Sequence, residues 1–354
     1  MIGTENTINK DVVLAVSGGI DSAVAVYLLQ QAGYKVHGVN FSFWHWEEDR
    51  YFSNEKSLQE IQEAFGITIE RVDYREQFKQ IVVDSFISDQ RAGLTPNPCV
   101  RCNPMVKFNL LISLADQQGA KYISTGHYAR VEHEHKNGDY LLLTGIDKKK
   151  DQSYMLCYLN QDILSRTIFP LGDYLKEDIY KLGEQIGLSI TEEKESQDLC
   201  FVLPEHYPEF LQAGIQTGAG EITNSSETVL GIHNGLQNYT IGQRKGIRLS
   251  APKPYYVIRK EPAQNKLVVG FHEELDRSTL MVEDINWITR EPALPLHADV
   301  KIRYHSNRIP GNISSSLINQ YKITLEKPLQ GVTPGQYAVF YDGDIVIGGG
   351  RISR

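Results

Sequence analysis

Two kinds of residue in this 354-residue chain have types and spacing suited to chemistry: a Ser/Gly-rich hexapeptide and a set of four cysteines. The hexapeptide Ser17-Gly18-Gly19-Ile20-Asp21-Ser22 follows the apolar run Val12-Val13-Leu14-Ala15-Val16 and precedes Ala23-Val24-Ala25-Val26-Tyr27-Leu28-Leu29. A short β-branched run, a Gly-rich turn and a second apolar stretch predict strand, loop and helix. Two glycines let backbone amides approach an anion closely, and a helix start adds its unpaired N–H groups and its dipole. The predicted chemistry is that of a pyrophosphate cradle. No Lys-Ser/Thr pair follows the glycines, so the loop is not a Walker A loop. The bland alternative is an ordinary strand-to-helix turn, with Asp21 or Ser22 capping the helix.

Cys99 and Cys102 stand in Gly93-Leu94-Thr95-Pro96-Asn97-Pro98-Cys99-Val100-Arg101-Cys102-Asn103. Two prolines predict a rigid loop here, with a helix over 105–118 starting just beyond it. A thiol near a helix start, with Arg101 and Lys107 nearby, can have a lowered pKa and act as a nucleophile. Cys-x-x-Cys spacing also suits a metal, but zinc needs four ligands and no second pair exists in the sequence. Cys200, in Glu195-Ser196-Gln197-Asp198-Leu199-Cys200-Phe201, reads either as a reactive thiol or as a small buried hydrophobe. Cys157, inside Tyr154-Met155-Leu156-Cys157-Tyr158-Leu159, reads as core.

The chain that must position these groups has an ordinary soluble composition, 41% apolar and 23% charged, and length for two or three domains. No apolar run approaches a membrane span and no secretory signal opens the sequence, so a cytoplasmic location is expected. Cysteines in that setting favour thiol chemistry or metal binding over a disulfide framework. The formal net charge of −8 hides an asymmetry. Residues 241–354 carry 16 Lys+Arg against 11 Asp+Glu, whereas residues 1–240 carry 20 against 33. A basic C-terminal third on an acidic body is compatible with a localised polyanion contact, and equally with a mildly basic β domain.

Residues 12–125 alternate between strand-like segments (12–16, 35–41, 67–74, 122–125) and helix-like ones (53–65, 75–90, 105–118). Such alternation predicts a doubly wound parallel sheet, whose ligands sit at the carboxyl ends of the strands. A hairpin over 128–134 and 140–145 is signalled by Asn137-Gly138, and helical patterns resume at 152–160 and 174–186. From residue 206 the texture changes, and after about residue 250 short strand-like runs alternate with Gly/Pro turns, as in a small antiparallel barrel or sandwich.

The Ser-Gly-Gly-x-Asp-Ser string resembles the PP-loop of ATP pyrophosphatases, which cut ATP between its α and β phosphates. Along nearly its whole length the chain resembles one family of them, the bacterial tRNA-specific 2-thiouridylases. The resemblance rests on that loop, on Thr95-Pro96-Asn97-Pro98 with Cys102-Asn103, on Thr125-Gly126-His127-Tyr128-Ala129-Arg130 and on Lys150-Asp151-Gln152-Ser153-Tyr154. It continues through Ser196-Gln197-Asp198-Leu199-Cys200-Phe201, Tyr239-Thr240-Ile241-Gly242-Gln243-Arg244-Lys245-Gly246 and Pro334-Gly335-Gln336-Tyr337-Ala338-Val339-Phe340-Tyr341. It implies an α/β fold, a doubly wound parallel sheet of Rossmann-like PP-loop type over residues 1–205. A small linker domain over 206–250 and a C-terminal antiparallel β-barrel over 251–354 then follow, the latter two contacting tRNA.

The resemblance also assigns roles. ATP would bind at Ala15, Val16, Ser17, Gly18, Gly19, Ile20, Asp21 and Ser22, with Asp21 helping to hold magnesium. Phe41, where family members often have Met, and Gly126 match further nucleotide contacts. The enzyme would adenylate the C2 oxygen of the wobble uridine, and sulfur would then replace that oxygen. Cys200 matches the cysteine that receives a persulfide from a cysteine desulfurase or sulfur-relay protein. Cys102 matches the partner that releases the sulfur or ends in a Cys102–Cys200 disulfide, since a second thiolate can resolve an S–S bond. A loop around Cys200 is expected to order when tRNA binds. Asn97, Pro98, Cys99, His127, Lys150, Asp151, Gln152, Arg303, Tyr304 and Gln336 match positions that touch the anticodon stem-loop of tRNA. A flipped base and a bound stem need such a mix of basic, amide and aromatic groups. In the bland reading Asp151 caps a helix and Lys148-Lys149-Lys150 is a solvated turn.

Many members carry Asp where this chain has Cys99, which leaves that carboxylate's proton-handling role without an obvious owner. The substitution creates a three-thiol set, Cys99, Cys102 and Cys200, that could hold an iron–sulfur cluster instead of running plain persulfide chemistry. Two other functions compete with thiolation: another PP-loop adenylating ligase of the amidating type, which would not need Cys200, and a non-catalytic tRNA-binding protein that has kept the fold.

Overall fold

The computed structural model describes residues 10–47, 54–188, 199–215, 218–317 and 319–354. In the first unit β1 (Asp11–Ala15) lies between β2 (Lys35–Ser42), followed outward by β3 (Ile69–Asp73), and β4 (Tyr122–Ser124). The hairpin of β5 (Ala129–Glu134) and β6 (Asp139–Thr144) leaves this layer, and β7 (Thr167–Ile168) returns to it. The result is a fully parallel sheet of order β3-β2-β1-β4-β7. Val12, Val13 and Leu14 are wholly buried, which accounts for an uninterrupted apolar strand in place of an alternating one. Strand order reverses at β1, so its carboxyl end opens the crevice where such sheets bind ligands. The Ser/Gly loop lies there.

The helices are α1 (Ile20–Gln31), α2 (Glu55–Phe65), helical runs over 75–91 (α3) and 98–118 (α4), α5 (Gln161–Leu164) and α6 (Lys176–Gln185). Helix α6 packs closely on α1 at Gly183, where a Cβ would stand 2.6 Å from the Ile20 side chain. Two expectations are corrected. Helix α4 begins at Pro98, not at Met105, because Asn97 Oδ1 accepts the Cys99 N–H at 3.1 Å and Pro98 suits the first helical position. Cys99 and Cys102 therefore sit on the opening turns of a helix and not in a loop. Pro104 cannot donate to the preceding turn, and the helix widens into a π turn over Asn103–Phe108. The helix expected over 152–160 is a single 3₁₀ turn, Ser153–Leu156, because Asn160 caps a fresh helix by accepting the Ile163 N–H at 2.9 Å.

The second unit holds α7 (Tyr207–Gly214), β8 (Gly220–Thr223), β9 (Val229–His233), β10 (Tyr256–Glu261) and β11 (Lys266–Gly270). Its sheet order is β10-β11-β8-β9, and its core includes Ile222, Leu236, Val257, Leu267 and Val269. The sheet thus runs through residue 270, past the break expected at 250, because β11 pairs with β8 across the intervening loop.

The third unit comprises β12 (Arg277–Trp287), β13 (Leu296–Lys301), β14 (Ile309–Leu317), β15 (Gln320–Leu329), β16 (Tyr337–Asp342) and β17 (Ile345–Ile352). Strand β12 pairs with both β15 and β17, so the order β12-β15-β14-β13-β16-β17 closes into a six-stranded antiparallel barrel. The β5–β6 hairpin of the first unit extends this barrel's sheet, with Leu142 opposite Val346 and Leu143 opposite Ile345. Further ties join the barrel to the thiol-bearing region. Arg351 pairs with Asp89 at 2.6 Å, Thr95 N–H donates to the Pro334 carbonyl at 2.9 Å, and Arg354 donates to the Ala92 carbonyl.

Candidate nucleotide and thiol site

The cradle is built from the backbone outward. Gly18 has φ +93°, which disfavours any side chain, and a Cβ there would crowd the Asn54 Cβ at 3.1 Å. Ala15 ends β1, and the Val16 N–H donates to the Val39 carbonyl at 2.8 Å. The buried Asn40 amide donates to the Val16 carbonyl at 2.7 Å, and Asn54 to the Ser17 carbonyl at 2.9 Å. Gly19, extended, precedes Ile20 at the helix start, and no side chain caps it. Ser22 Oγ instead donates to the Gly19 carbonyl at 2.8 Å, so the capping alternative is not the one that forms. Gly126, just past β4, would place a Cβ only 3.7 Å from the Asp21 and Ser22 backbone, which brings a second strand end to the cradle. Phe41 lies near the end of β2, stacked on Phe43 at 5.6 Å between ring centroids.

Asp21 does not face solvent alone. Lys176 Nζ reaches its two carboxylate oxygens at 2.7 and 2.8 Å, and the Tyr128 hydroxyl donates to the first at 2.7 Å. Burial, and then the charge of Asp21, keep the Tyr128 hydroxyl protonated far above the usual phenol range. Where the resemblance implies a magnesium ligand, the Asp21 charge is thus matched by the Lys176 ammonium. Lys176 opens α6, and its N–H donates to Asp147 Oδ2 at 3.0 Å. Burial would raise the Asp147 carboxyl, but backbone N–H groups from Lys176, Lys149 and Lys150 outweigh it and hold the pKa below the ordinary value.

The thiols differ sharply in setting. Cys102 is 8% exposed, and its pKa is pushed up to about 11, by burial first; the neighbouring Cys99 adds to the rise and Lys107 opposes it. The lowered pKa expected for a helix-start thiol is thus reversed, because Cys102 is one turn inside a buried helix face. Cys99 is half-buried, Cys200 is exposed, and no disulfide joins the four cysteines. Phe201 is fully buried against Phe78, Phe86 and Phe210, and its carbonyl accepts the Trp46 N–H at 2.8 Å. Cys102 belongs to the same apolar cluster, so Phe201 anchors the chain next to Cys200 on the packing that buries Cys102. Residues 189–198, with Ser196, Gln197, Asp198 and most of the loop expected to order with tRNA, lie outside the described residues. Among the described residues no three His, Cys, Asp or Glu side chains are grouped closely enough to hold a metal ion. The three-thiol set therefore does not fit an iron–sulfur cluster as arranged here. Cys157 is wholly buried core.

The residues matched to tRNA contacts divide into two groups. Asn97 and Pro98 begin α4, as described. His127 is half-buried between Phe108 and Phe169, with Nδ1 at 2.7 Å from Thr125 Oγ1. Burial, and then the positive charge of Lys107, hold its imidazole well below the ordinary pKa, so it is neutral. Asp151 is buried, and its carboxylate accepts the Gly145 and Ser153 N–H groups and the Ser153 hydroxyl at 3.0–3.1 Å; it shapes the loop. Gln152 Oε1 accepts the Tyr128 N–H at 3.0 Å. Arg303 donates to Thr333 Oγ1 and to the Ile241 carbonyl, joining the barrel to the second unit. Gln336 donates to the Thr95 carbonyl. Asp151 also lines, with Lys148, Lys149, Lys301, Tyr304 and His305, an open cavity of about 320 Å³ between the first unit and the barrel. This basic mouth suits a phosphate backbone. Lys176, Tyr128, Asn40 and Asn54 had no role assigned from sequence. Only Asn40, a polar residue within the apolar run Val39-Asn40-Phe41, carried a readable signal.

A glycine-rich anion loop at the switch point of a parallel sheet, thiols on an adjoining helix and two β units behind them define a nucleotide-binding α/β enzyme of the PP-loop class. Three family models match in succession: "tRNA methyl transferase HUP domain" over 10–204, "tRNA methyl transferase PRC-barrel domain" over 208–271 and "Aminomethyltransferase beta-barrel domain" over 277–352. The tRNA-specific 2-thiouridylase MnmA of Geotalea uraniireducens is 40% identical, with 99% of this chain and 96% of that protein covered. That of Clostridioides difficile is 37% identical over 98% of this chain and 99% of its own length. Among solved structures, a U34-tRNA thiolase NcsA from Methanococcus maripaludis is 17% identical over 58% of this chain and 63% of that one, with a TM-score of 0.34. The chain belongs to the tRNA-specific 2-thiouridylase family.

Proposed function

We propose that this chain converts the wobble uridine of tRNA to 2-thiouridine, using ATP to activate the base and a cysteine persulfide to supply sulfur. One observation supports this reading above others: the anion loop, the buried Cys102 and the exposed Cys200 stand in one unit, with Phe201 packed in the cluster that holds Cys102. The uridine C2 oxygen attacks the α-phosphate of ATP, and pyrophosphate leaves from the cradle of backbone N–H groups at residues 17–22. The adenylated oxygen is then a leaving group that a uracil carbonyl otherwise lacks.

Cys200, being exposed, is accessible to a cysteine desulfurase or relay protein that loads a second sulfur on its Sγ. The terminal sulfur attacks C2 and expels AMP, which leaves a C2–S–S–Cys200 link. Cys102 attacks Cys200 Sγ, so that the link breaks to C2 thione and a Cys102–Cys200 disulfide forms. Cys102 is a thiol at neutral pH and must pass its proton on as it attacks. The basic cavity at Lys148, Lys149 and Lys301 supports backbone contact with the anticodon stem. No helix among the described residues is long and apolar enough to cross a membrane, and we place the reaction in the cytoplasm. Nucleoside mass spectrometry of tRNA from cells lacking the protein tests the proposal. Loss of 2-thiouridine is expected, and an unchanged level overturns it.

A further inference from the structure

We infer that Lys176 is a positioning residue of the nucleotide site, acting on the pyrophosphate part of ATP. This rests on the ATP-dependent reading above. The loop of residues 17–22 has no basic residue, and nothing in it can do what the lysine of a Walker A loop does for β and γ phosphates. Tertiary structure brings one in from α6. Lys176 Nζ sits on the Asp21 carboxylate, over the Tyr180 ring at 4.8 Å and the Tyr128 ring at 5.7 Å. Its side chain is only 13% exposed, and its N–H is held by Asp147. An ammonium withdrawn from water and fixed by a carboxylate, two rings and a helix start is a placed charge, unlike a solvated surface lysine.

The electrostatics call for such a charge. Asp21 is the second residue of α1, so its carboxylate occupies the helix end that must receive the phosphates. An unbalanced carboxylate there would repel the polyphosphate. Lys176 offsets the Asp21 charge with two of its ammonium hydrogens and keeps a third donor for a phosphate oxygen, which a pair of neutral side chains at these positions would not supply. In the ATP-dependent reading the nucleoside end of ATP belongs at the strand ends of Phe41 and Gly126, so the contribution of Lys176 should grow with the number of phosphates on the ligand.

The test compares ATP with AMP by calorimetric titration of the full chain carrying Lys176→Met, Lys176→Arg or the pair Asp21→Asn/Lys176→Met. Folding is followed by circular dichroism, and the KM for ATP and kcat of tRNA-dependent pyrophosphate release are measured alongside. Lys176→Met is expected to weaken ATP by about tenfold or more while AMP stays within about twofold, with Lys176→Arg recovering part of the loss. The double variant, which leaves no unpaired charge should the single one not fold, is expected to remain weak toward ATP. Unchanged ATP affinity, equal losses for ATP and AMP, or full recovery in the double variant would each overturn the inference. Wild-type protein that binds no ATP overturns the proposed function itself, and Lys176's role with it.

Discussion

The Gln336 side-chain amide donates to the Thr95 carbonyl at 3.0 Å, which ties the entry to β16 of the barrel to the segment that leads into the Cys99 and Cys102 helix. Nearby, the Thr95 N–H donates to Pro334, and a Cβ on Gly335 would stand 2.9 Å from Thr95 N. The barrel is thus a brace for the thiol helix. Gln336→Ala should lower kcat of thiolation by about tenfold through misplacement of that helix, with tRNA affinity nearly unchanged. Filter binding beside single-turnover thiolation separates the two. A loss confined to tRNA affinity would show that Gln336 serves as an RNA contact only.

The two-thiol scheme predicts a split between half-reactions. Cys200→Ser and Cys102→Ser should each cut 2-thiouridine formation by at least about a hundredfold while tRNA-dependent release of pyrophosphate persists. Nucleoside mass spectrometry and a pyrophosphate assay report the two halves. Full thiolation by Cys200→Ser would instead favour an amidating or other ligase.

Burial predicts an order of thiol reactivity. With its pKa at about 11, Cys102 is only about one thousandth thiolate at pH 8, and it is also shielded. Iodoacetamide at pH 8 should therefore modify exposed Cys200 well before Cys102, as read by peptide mass spectrometry over time. Equal rates would contradict the packing of Cys102 against the Phe201 cluster.

His127 predicts acid sensitivity. Its folded pKa lies well below the ordinary 6.5, from burial first and the charge of Lys107 second. Below pH 6.5 the unfolded chain takes up a proton that the folded chain refuses, so the stability contribution present above that pH is lost as pH falls. Urea unfolding between pH 7.5 and 5.5 should show this decline, and His127→Gln should flatten it. An equally steep decline in the variant would assign the effect to other groups.

Much of the molecule is legible in local sequence because strands, helix starts and glycine turns are set by short-range sterics and hydrophobic period. The apolar Val12-Val13-Leu14 run, the 17–22 loop and the 128–145 hairpin all form where the sequence places them. The register of remote partners is not local. Nothing in the hairpin marks Leu142 for Val346, and nothing near residue 250 marks β11 for β8. The start of α4 shows the limit at short range too, where two prolines signal a loop but Asn97 caps a helix that begins at Pro98.

The same division runs through the site. Sequence by itself determined that a Gly-rich loop follows the first strand and that Cys99, Cys102 and Cys200 are candidate thiols, since those are properties of residue type and spacing. Tertiary structure decided their charge states and company: it buried Cys102, left Cys200 exposed, packed His127 against Phe108 and set Lys176 on Asp21. The physical reason is that solvation and Coulomb interactions depend on distance in space, and Lys176 meets Asp21 across 155 residues of sequence.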